Sequence, residues 1–470
     1  MGQANVDALW QLGANDMAEG IRQGKFSSRE VTEACLQRLA AVNPAINAIT
    51  EIREEEALAA ADDADRQSAA GEASGLLHGV PVTIKGNVDV KGWDTVNGCA
   101  AFQGRPASEN SDCVQNWLNA GAVIIARTNT PEFCCRWETT NEVFGVTHNP
   151  WNRDLTPGGS SGGAAASIAC GVTPLAHGTD LGGSLRDPAQ ACGVASIKPT
   201  LGRVADWVPS EPGDPAIGVQ MMNTDGPMAR RVADVRLGLQ AMSAMSWHDP
   251  WWQQRALETS KRPLRVALVR DPLNQGIHQQ VASGIEKAAQ HLQAAGYEIE
   301  EIQPPGIEEA AKVWLEICIG ELTTLLAPAV TEICGERMSR MFEFYREIAG
   351  EFSPDAYMHA FGTRKKLLRD WGSFFERYPL IVAPVCTQPP YASDSDLESA
   401  DKVREIIHHR RMTVAISALG LPSAVVPVGN EGGLPQVVQI IGPAFAEMDC
   451  LAAAEAIENQ IEVLTPIDPR

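Results

Sequence analysis

Apolar residues recur along this chain at two periods, and the period switches from segment to segment. In HGVPVTIKGNVDVKG, Val80, Val82 and Ile84 occupy every second position, which predicts a strand ending at Lys85 or Gly86. In VTEACLQRLAAVN the spacing is helical, Ser27 and Glu30 ahead of it form a capping box, and Pro44 is expected to stop the helix. Residues 47–70, rich in Glu, Asp and Ala, read as one solvated helix; 113–119 read as a helix, 122–126 as a short buried strand and 127–132 as its loop. Residues 264–302 hold an apolar strand (LRVALV), an amphipathic helix and an alternating strand, the order of a βαβ unit. The 308–377 stretch reads as almost wholly helical, 380–384 and 423–428 as buried strands, and 439–458 as strand, turn and helix. Such alternation predicts an α/β fold: a single large domain over 1–470, a mixed β-sheet core covered by helices on both faces, and 308–377 as a helical cap inserted on it.

Composition narrows the function classes. The 470 residues are 44% hydrophobic and 21% charged, an ordinary globular balance. No stretch reads as the run of about 18 apolar residues that crosses a bilayer, and no signal peptide opens the chain, so a cytoplasmic protein without membrane contact is expected. Lys and Arg number 38 against 59 Asp and Glu, and a net charge of −21 repels phosphate backbones, which argues against nucleic acid as a partner. The eleven cysteines are scattered without a CxxC pair, as expected of reduced, mostly buried thiols. The absence of HExxH, of GxGxxG after a strand and of GxxxxGK[ST] predicts neither a metal nor a nucleotide cofactor.

Two glycine-rich stretches surround serines. TPGGSSGGAAAS matches G-x-S-x-G around Ser160 and again around Ser161, but a nucleophile elbow needs a strand immediately before it, and THNPWNRDLTP reads as loop. HGTDLGGSLRDPAQACG places Gly182 and Gly183 ahead of Ser184, where consecutive amides are able to converge on one spot, as an oxyanion requires. Asp180 and Arg186 flank that run and are placed to brace it; a tight structural turn would read the same way.

In chain order, GVPVTIKGNVDVKG, GGSSGG and GTDLGGSLRDPA resemble the amidase signature family, as do ARTNTPEF, CGVASIKPTLGRV, DGPMARRVAD and LPQVVQIIGPAFAE. The resemblance covers most of the chain and implies a Ser–cis-Ser–Lys triad: Ser184 as nucleophile, Ser160 as bridging serine after a cis peptide from Gly159, and Lys85 as base. It implies an oxyanion hole from the N–H groups of Leu181, Gly182, Gly183 and Ser184, with Ser161, Thr179, Asp180 and Arg186 supporting the loops. Cys134 stands where relatives present main chain to the site.

Two positions depart from the family pattern. Gly86 follows the lysine where most relatives carry Asp, and Asp187 follows the arginine where many carry an apolar residue or Gln. The RDPA form also argues against the in-family alternative, a glutaminase of the glutamyl-tRNA(Gln) amidotransferase A type, which typically reads RQPA. Specificity in the family lies in the loops and helices over the site, here 205–222 and 308–377. Trp207, Met221, Met222, Trp314, Phe342 and Tyr345 are therefore candidate pocket walls, though most are expected to be ordinary core. The expected substrate is a small-molecule aryl amide or carbamate, with esters also in range, and a homodimer is kept as the partner expectation. A non-catalytic amide-binding relative is the other alternative, and the joint presence of Lys85, Ser160 and Ser184 speaks against it.

Overall fold

Among the described residues, eleven strands form one mixed sheet and two more form a small hairpin. In chain order they are β1 (Ile49–Ile52), β2 (Pro81–Lys85), β3 (Val123–Thr128), the hairpin β4 (Thr140–Asn141) and β5 (Gly145–Val146), β6 (Leu175–Asp180), β7 (Ala195–Lys198), β8 (Thr224–Ala229), β9 (Arg265–Leu268), β10 (Glu298–Glu301), β11 (Leu380–Ala383), β12 (Ser423–Glu431) and β13 (Leu434–Ile441). The computed structural model describes residues 6–211, 213–260 and 265–470, so Leu264, the first residue of the predicted LRVALV strand, lies outside the described residues. The sheet order is β1-β3-β2-β6-β8-β7-β12-β13-β11-β9-β10. Parallel pairing joins β3, β2 and β6 toward one end and β11, β9 and β10 at the other, with antiparallel ladders between them and β1 antiparallel on the outer edge of β3.

The period of two within each strand divides the interior. In β11, Leu380 and Val382 enter the larger core, whereas Ile381 and Ala383 face a second core shared with Trp314, Phe342 and Trp371. Every residue of β2 and β6 is buried, as a strand covered on both faces requires. The predicted βαβ unit is present as β9, the helix Gln279–Ala294 and β10, with the strands parallel.

Three expectations fail locally. Residues 47–70 are not one helix: Ile49–Ile52 pair with β3 as an edge strand, and only Glu54–Ala69 are helical. A four-residue edge strand with Thr50 and Glu51 at its centre carries too little apolar alternation to be distinguished from its polar surroundings. Pro44 does not stop the helix that the Ser27–Glu30 capping box opens, which runs over Ser28–Ile46 and ends at Asn47 in the left-handed region. Lastly, helical segments run on from Ile307 to Val330, a stretch whose length and mean hydropathy of 1.5 would suffice to cross a membrane. Half of its most apolar window is buried in the protein, and Trp314, Ile317, Cys318 and Ile319 belong to the second core. The rest of 308–377 forms the helices Glu336–Ala349 and Pro354–Arg377.

Candidate active site

β2 and β6 run parallel, so their C-terminal ends open on the same side of the sheet. Lys85 is the last residue of β2 and is fully buried; its Nζ donates to Ser160 Oγ at 2.7 Å and to Thr179 Oγ1 of β6 at 2.8 Å. Burial lowers the pKa of this amine from its ordinary value, against the opposing pull of the Cys134 sulfur, Asp225 and Asp180. A neutral amine beside a serine hydroxyl has the lone pair needed to take its proton.

Ser160 lies in a loop that threads through other backbone. The Gly159–Ser160 peptide is cis. A Cβ on Gly159 would lie 2.5 Å from the Arg136 carbonyl oxygen and 2.6 Å from the Glu138 nitrogen, so no side chain fits there. Thr139 Oγ1 donates to Gly158 O at 2.8 Å and accepts from Gly162 N at 3.1 Å, tying both ends of the serine pair to one hydroxyl. Residues 147–157 carry only an isolated bridge at Leu155 before the serines, so the strand that a G-x-S-x-G elbow requires is absent there.

Asp187 has a role in this bracing. Its Oδ2 accepts the Gly159 N–H at 3.3 Å, and its Oδ1 pairs with Arg410 at 2.6 Å. Burial raises the Asp187 pKa, and the Arg410 guanidinium opposes that rise. The departure at Asp187 is thus matched by a buried arginine, and the pair holds the loop that carries Ser160. At the other departure, the Gly86 N–H donates to Thr128 O at 3.0 Å, and a Cβ would stand 3.2 Å from that oxygen. The buried Arg127 lines the same small cleft, and its Nε meets no acceptor among the described residues.

The loop after β6 is organised by Asp180. Its carboxylate accepts from Gly183 N at 2.8 Å, Leu185 N at 3.1 Å, Arg186 Nε at 3.0 Å and Arg186 Nη2 at 2.9 Å. Burial alone would raise its pKa, but Arg186 beside it holds the carboxyl below its ordinary value. Arg186 also donates to Thr413 O at 2.9 Å and Ser417 Oγ at 2.7 Å, both in the helix Arg411–Leu419. The expected Asp180–Arg186 brace is therefore present and anchored to a distant helix.

Ser184 follows at 9% exposure, whereas Lys85 and Ser160 are fully buried. The Ser161 N–H donates to Ser184 O at 3.2 Å, so the two serine loops are joined through backbone. Ser184 Oγ makes no hydrogen bond among the described residues: the link from lysine to bridging serine is closed and the next link is open. The four amides expected around an oxyanion are not equivalent. The Gly183 N–H is committed to Asp180, while those of Leu181, Gly182 and Ser184 meet no acceptor among the described residues.

The remaining candidates scatter. Cys134 approaches through its side chain, which faces the Lys85 amine and lies 3.3 Å from Thr130 Oγ1. Trp207 stacks on His248 at 4.0 Å, and Met222 is fully buried with its sulfur 3.3 Å from the Cys318 sulfur. Met221, Phe342 and Tyr345 belong to the second core or pack against it. Sequence reasoning missed Trp137, whose Nε1 donates to Gly182 O at 3.0 Å, because it sits in a loop with no periodicity to mark it. It also missed the buried contact of His177 Nε2 with Asp225 Oδ1 at 2.8 Å, with Cys113 Sγ 3.7 Å from the same nitrogen.

Known proteins match along nearly the whole length. The profile of the Amidase family matches residues 30–451. An indoleacetamide hydrolase of Bradyrhizobium diazoefficiens is 41% identical over 459 residues, covering 97% of this chain and 88% of the relative. The A component of a glutamyl-tRNA(Gln) amidotransferase of Roseiflexus sp. (strain RS-1) is 33% identical, with 96% of each chain covered. Among solved structures, a bacterial aryl acylamidase superposes with a TM-score of 0.84 at 26% identity, covering 95% of this chain and 96% of that one. The ordered motifs, the eleven-stranded sheet and these matches agree: the chain belongs to the amidase signature family, hydrolases of carbon–nitrogen bonds other than peptide bonds.

Proposed function

We propose that the chain hydrolyses the primary amide of an arylacetic acid, indole-3-acetamide being the first candidate, to the carboxylate and ammonia. The observation that carries the chemistry is the 2.7 Å contact between a fully buried lysine amine and Ser160 Oγ. In its neutral form Lys85 accepts the Ser160 proton as Ser160 accepts the Ser184 proton, and Ser184 Oγ attacks the amide carbon. Free loop N–H groups stabilise the oxyanion. Collapse of the intermediate expels ammonia, which takes the proton returned through Ser160, and leaves an acyl ester on Ser184. Water, deprotonated through the same two residues, then releases the acid. In this conformation the Ser184 hydroxyl must turn toward Ser160 to complete the chain, a tightening that substrate binding commonly brings.

The aryl preference is supported by the likeness to indoleacetamide hydrolase. Aryl carbamates and esters present a similar acyl carbon and are the next substrates to screen. The test is direct. The purified protein is incubated with indole-3-acetamide, and ammonia and indole-3-acetate are quantified; separately, a small fluorophosphonate is reacted and the modified residue mapped by peptide mass spectrometry. Equimolar products with label on Ser184 are expected. Label on Ser160 or Ser161 would overturn the nucleophile assignment, and turnover of glutamine in place of the aryl amide would revive the amidotransferase reading.

A further inference from the structure

The loop that carries Ser184 is held from above by two indoles. Trp314 Nε1 donates to Leu181 O at 3.0 Å, and Trp137 Nε1 donates to Gly182 O at 3.0 Å. A peptide group's C=O and N–H point in opposite directions when it is trans, so fixing a carbonyl fixes the direction of the next residue's N–H. The two consecutive planes are fixed differently. The Gly182–Gly183 peptide is held at both ends, its carbonyl by Trp137 and its N–H by the Asp180 carboxylate at 2.8 Å. The Leu181–Gly182 peptide is held only at its carbonyl, by Trp314, which leaves the Gly182 N–H free and aimed away from the indole.

Packing reinforces this arrangement. A Cβ on Gly182 would stand 2.6 Å from Trp314 Cζ2, so the indole rests on a bare backbone. Gly183, at φ 110°, would place its Cβ 2.6 Å from Thr413 Cγ2. The two rings also pack against each other at an angle of 43°. Trp314 ends the helix Ile307–Trp314, the first of the helical segments over the site, whereas Trp137 comes from the loop before β4.

We propose that Trp314 and Trp137 are positioning residues for transition-state stabilisation, and that Trp314 in particular aims the Gly182 N–H at the developing oxyanion. The helical layer is thereby coupled to the chemistry: where its first helix sits determines where an oxyanion donor points. Trp137 contributes less, because Asp180 already fixes the other end of the plane it holds. The inference rests on Ser184 as nucleophile.

The test removes a single N–H. Trp314→Phe keeps an aromatic ring, and replacement of Trp314 by 3-benzothienylalanine keeps the bicyclic shape as well. Losing an oxyanion donor outright costs about 10²–10³ in turnover, so a misdirected one is expected to cost about 10- to 100-fold in kcat. KM should stay within about threefold, and Trp137→Phe should cost less than Trp314→Phe. A loop that was merely loosened would weaken all ligands alike. The discriminating readout is therefore inhibition by an arylmethyl trifluoromethyl ketone, which forms a tetrahedral adduct, against inhibition by indole-3-acetate. The ketone's Ki should rise in step with the loss of kcat/KM, while that of the acid should not move. Unchanged kcat in both Trp314 variants, or equal loss for ketone and acid, overturns the clamp. Acylation by p-nitrophenyl acetate, followed by its burst, gives the same comparison without depending on the natural substrate. If Ser184→Ala retains the burst, the nucleophile reading has failed; if the burst vanishes there but Trp314→Phe keeps its full rate, only the clamp has.

Discussion

Lys85 and Lys198 are both fully buried, both lie within electrostatic reach of Asp180, and both have their pKa lowered chiefly by burial. Their partners differ in kind. Lys85 donates to two hydroxyls, Ser160 Oγ at 2.7 Å and Thr179 Oγ1 at 2.8 Å. Lys198, at the end of β7, donates to two carbonyls, Pro199 O at 2.9 Å and Leu421 O at 3.1 Å. A neutral amine has two N–H bonds and one lone pair. At Lys198 the two N–H bonds match the two carbonyls, and the lone pair meets nothing that is able to give it a proton. At Lys85 both partners are hydroxyls, which donate as well as accept, so in the neutral amine the Ser160 contact reverses and the lone pair takes up a hydroxyl that has a proton to give. Burial therefore sets how much of each lysine is neutral, but the chemistry of the partner decides whether neutrality is useful.

The sharpest way to break this comparison is to remove each lysine in turn. Lys85→Ala is expected to lower kcat/KM by about 10³-fold at neutral pH, within the 10²–10⁴ range of a general base. Lys198→Met, provided it folds, should stay within about tenfold of the parent, because that amine touches no reacting atom. Ammonia release at saturating and subsaturating substrate, alongside thermal melting by circular dichroism, separates lost chemistry from lost structure. Equal losses in two folded variants would remove the distinction. The pH profile sharpens it. Activity should rise with pH as Lys85 sheds its proton, and that acid limb should disappear in Lys85→Ala.

A smaller effect is expected at Thr179, whose hydroxyl accepts the second Lys85 N–H. Thr179→Val removes one hydrogen bond to the amine, which is worth about 1.5–3 kcal/mol when the donor is charged. That bond favours the ammonium over the amine, so its loss lowers the Lys85 pKa further. The acid limb should accordingly move to lower pH while the plateau falls about tenfold through lost orientation. A limb that moves to higher pH would mean that Thr179 supports the neutral amine instead.

How much of this is legible in the sequence differs between the two lysines. Lys85 stands at the end of a clean apolar alternation and before the two glycine–serine clusters, and those features place it in the site. Lys198 lies in CGVASIKPTLGRV, which also marks the family, but its burial depends on the sheet order that brings β7 beside β12, and that order has no local signature. The same divide runs through the rest of the site. Asp180 and Arg186 are six residues apart and their pairing is readable from the chain; Arg410 is 223 residues from Asp187, and that pairing is not. Trp137 and Trp314 meet only because a loop and a distant helix converge on one backbone turn. Local chemistry is written locally, whereas the groups that brace it are supplied by topology.

The smallest expected effect on turnover, that of Lys198→Met, should leave its signature in stability. In the folded chain the Lys198 pKa is lowered to about 7, while in the unfolded chain it returns to about 10.4. Between those values the unfolded state binds a proton that the folded state does not, so this lysine makes the parent's stability rise with pH across that window. Below about 7 both states are protonated and the full burden of a buried ammonium is felt. Lys198→Met lacks the ionisation, so its stability relative to the parent should fall as pH increases from about 7 to about 10, by at most about 1.4 kcal/mol per pH unit. Urea melts of both proteins at unit pH steps measure the slope. A flat difference would mean that Lys198 keeps its proton in the folded state. The contrast with Lys85 would then lie in charge as well as in partners, a charged buried lysine held by two carbonyls against a neutral one beside a serine.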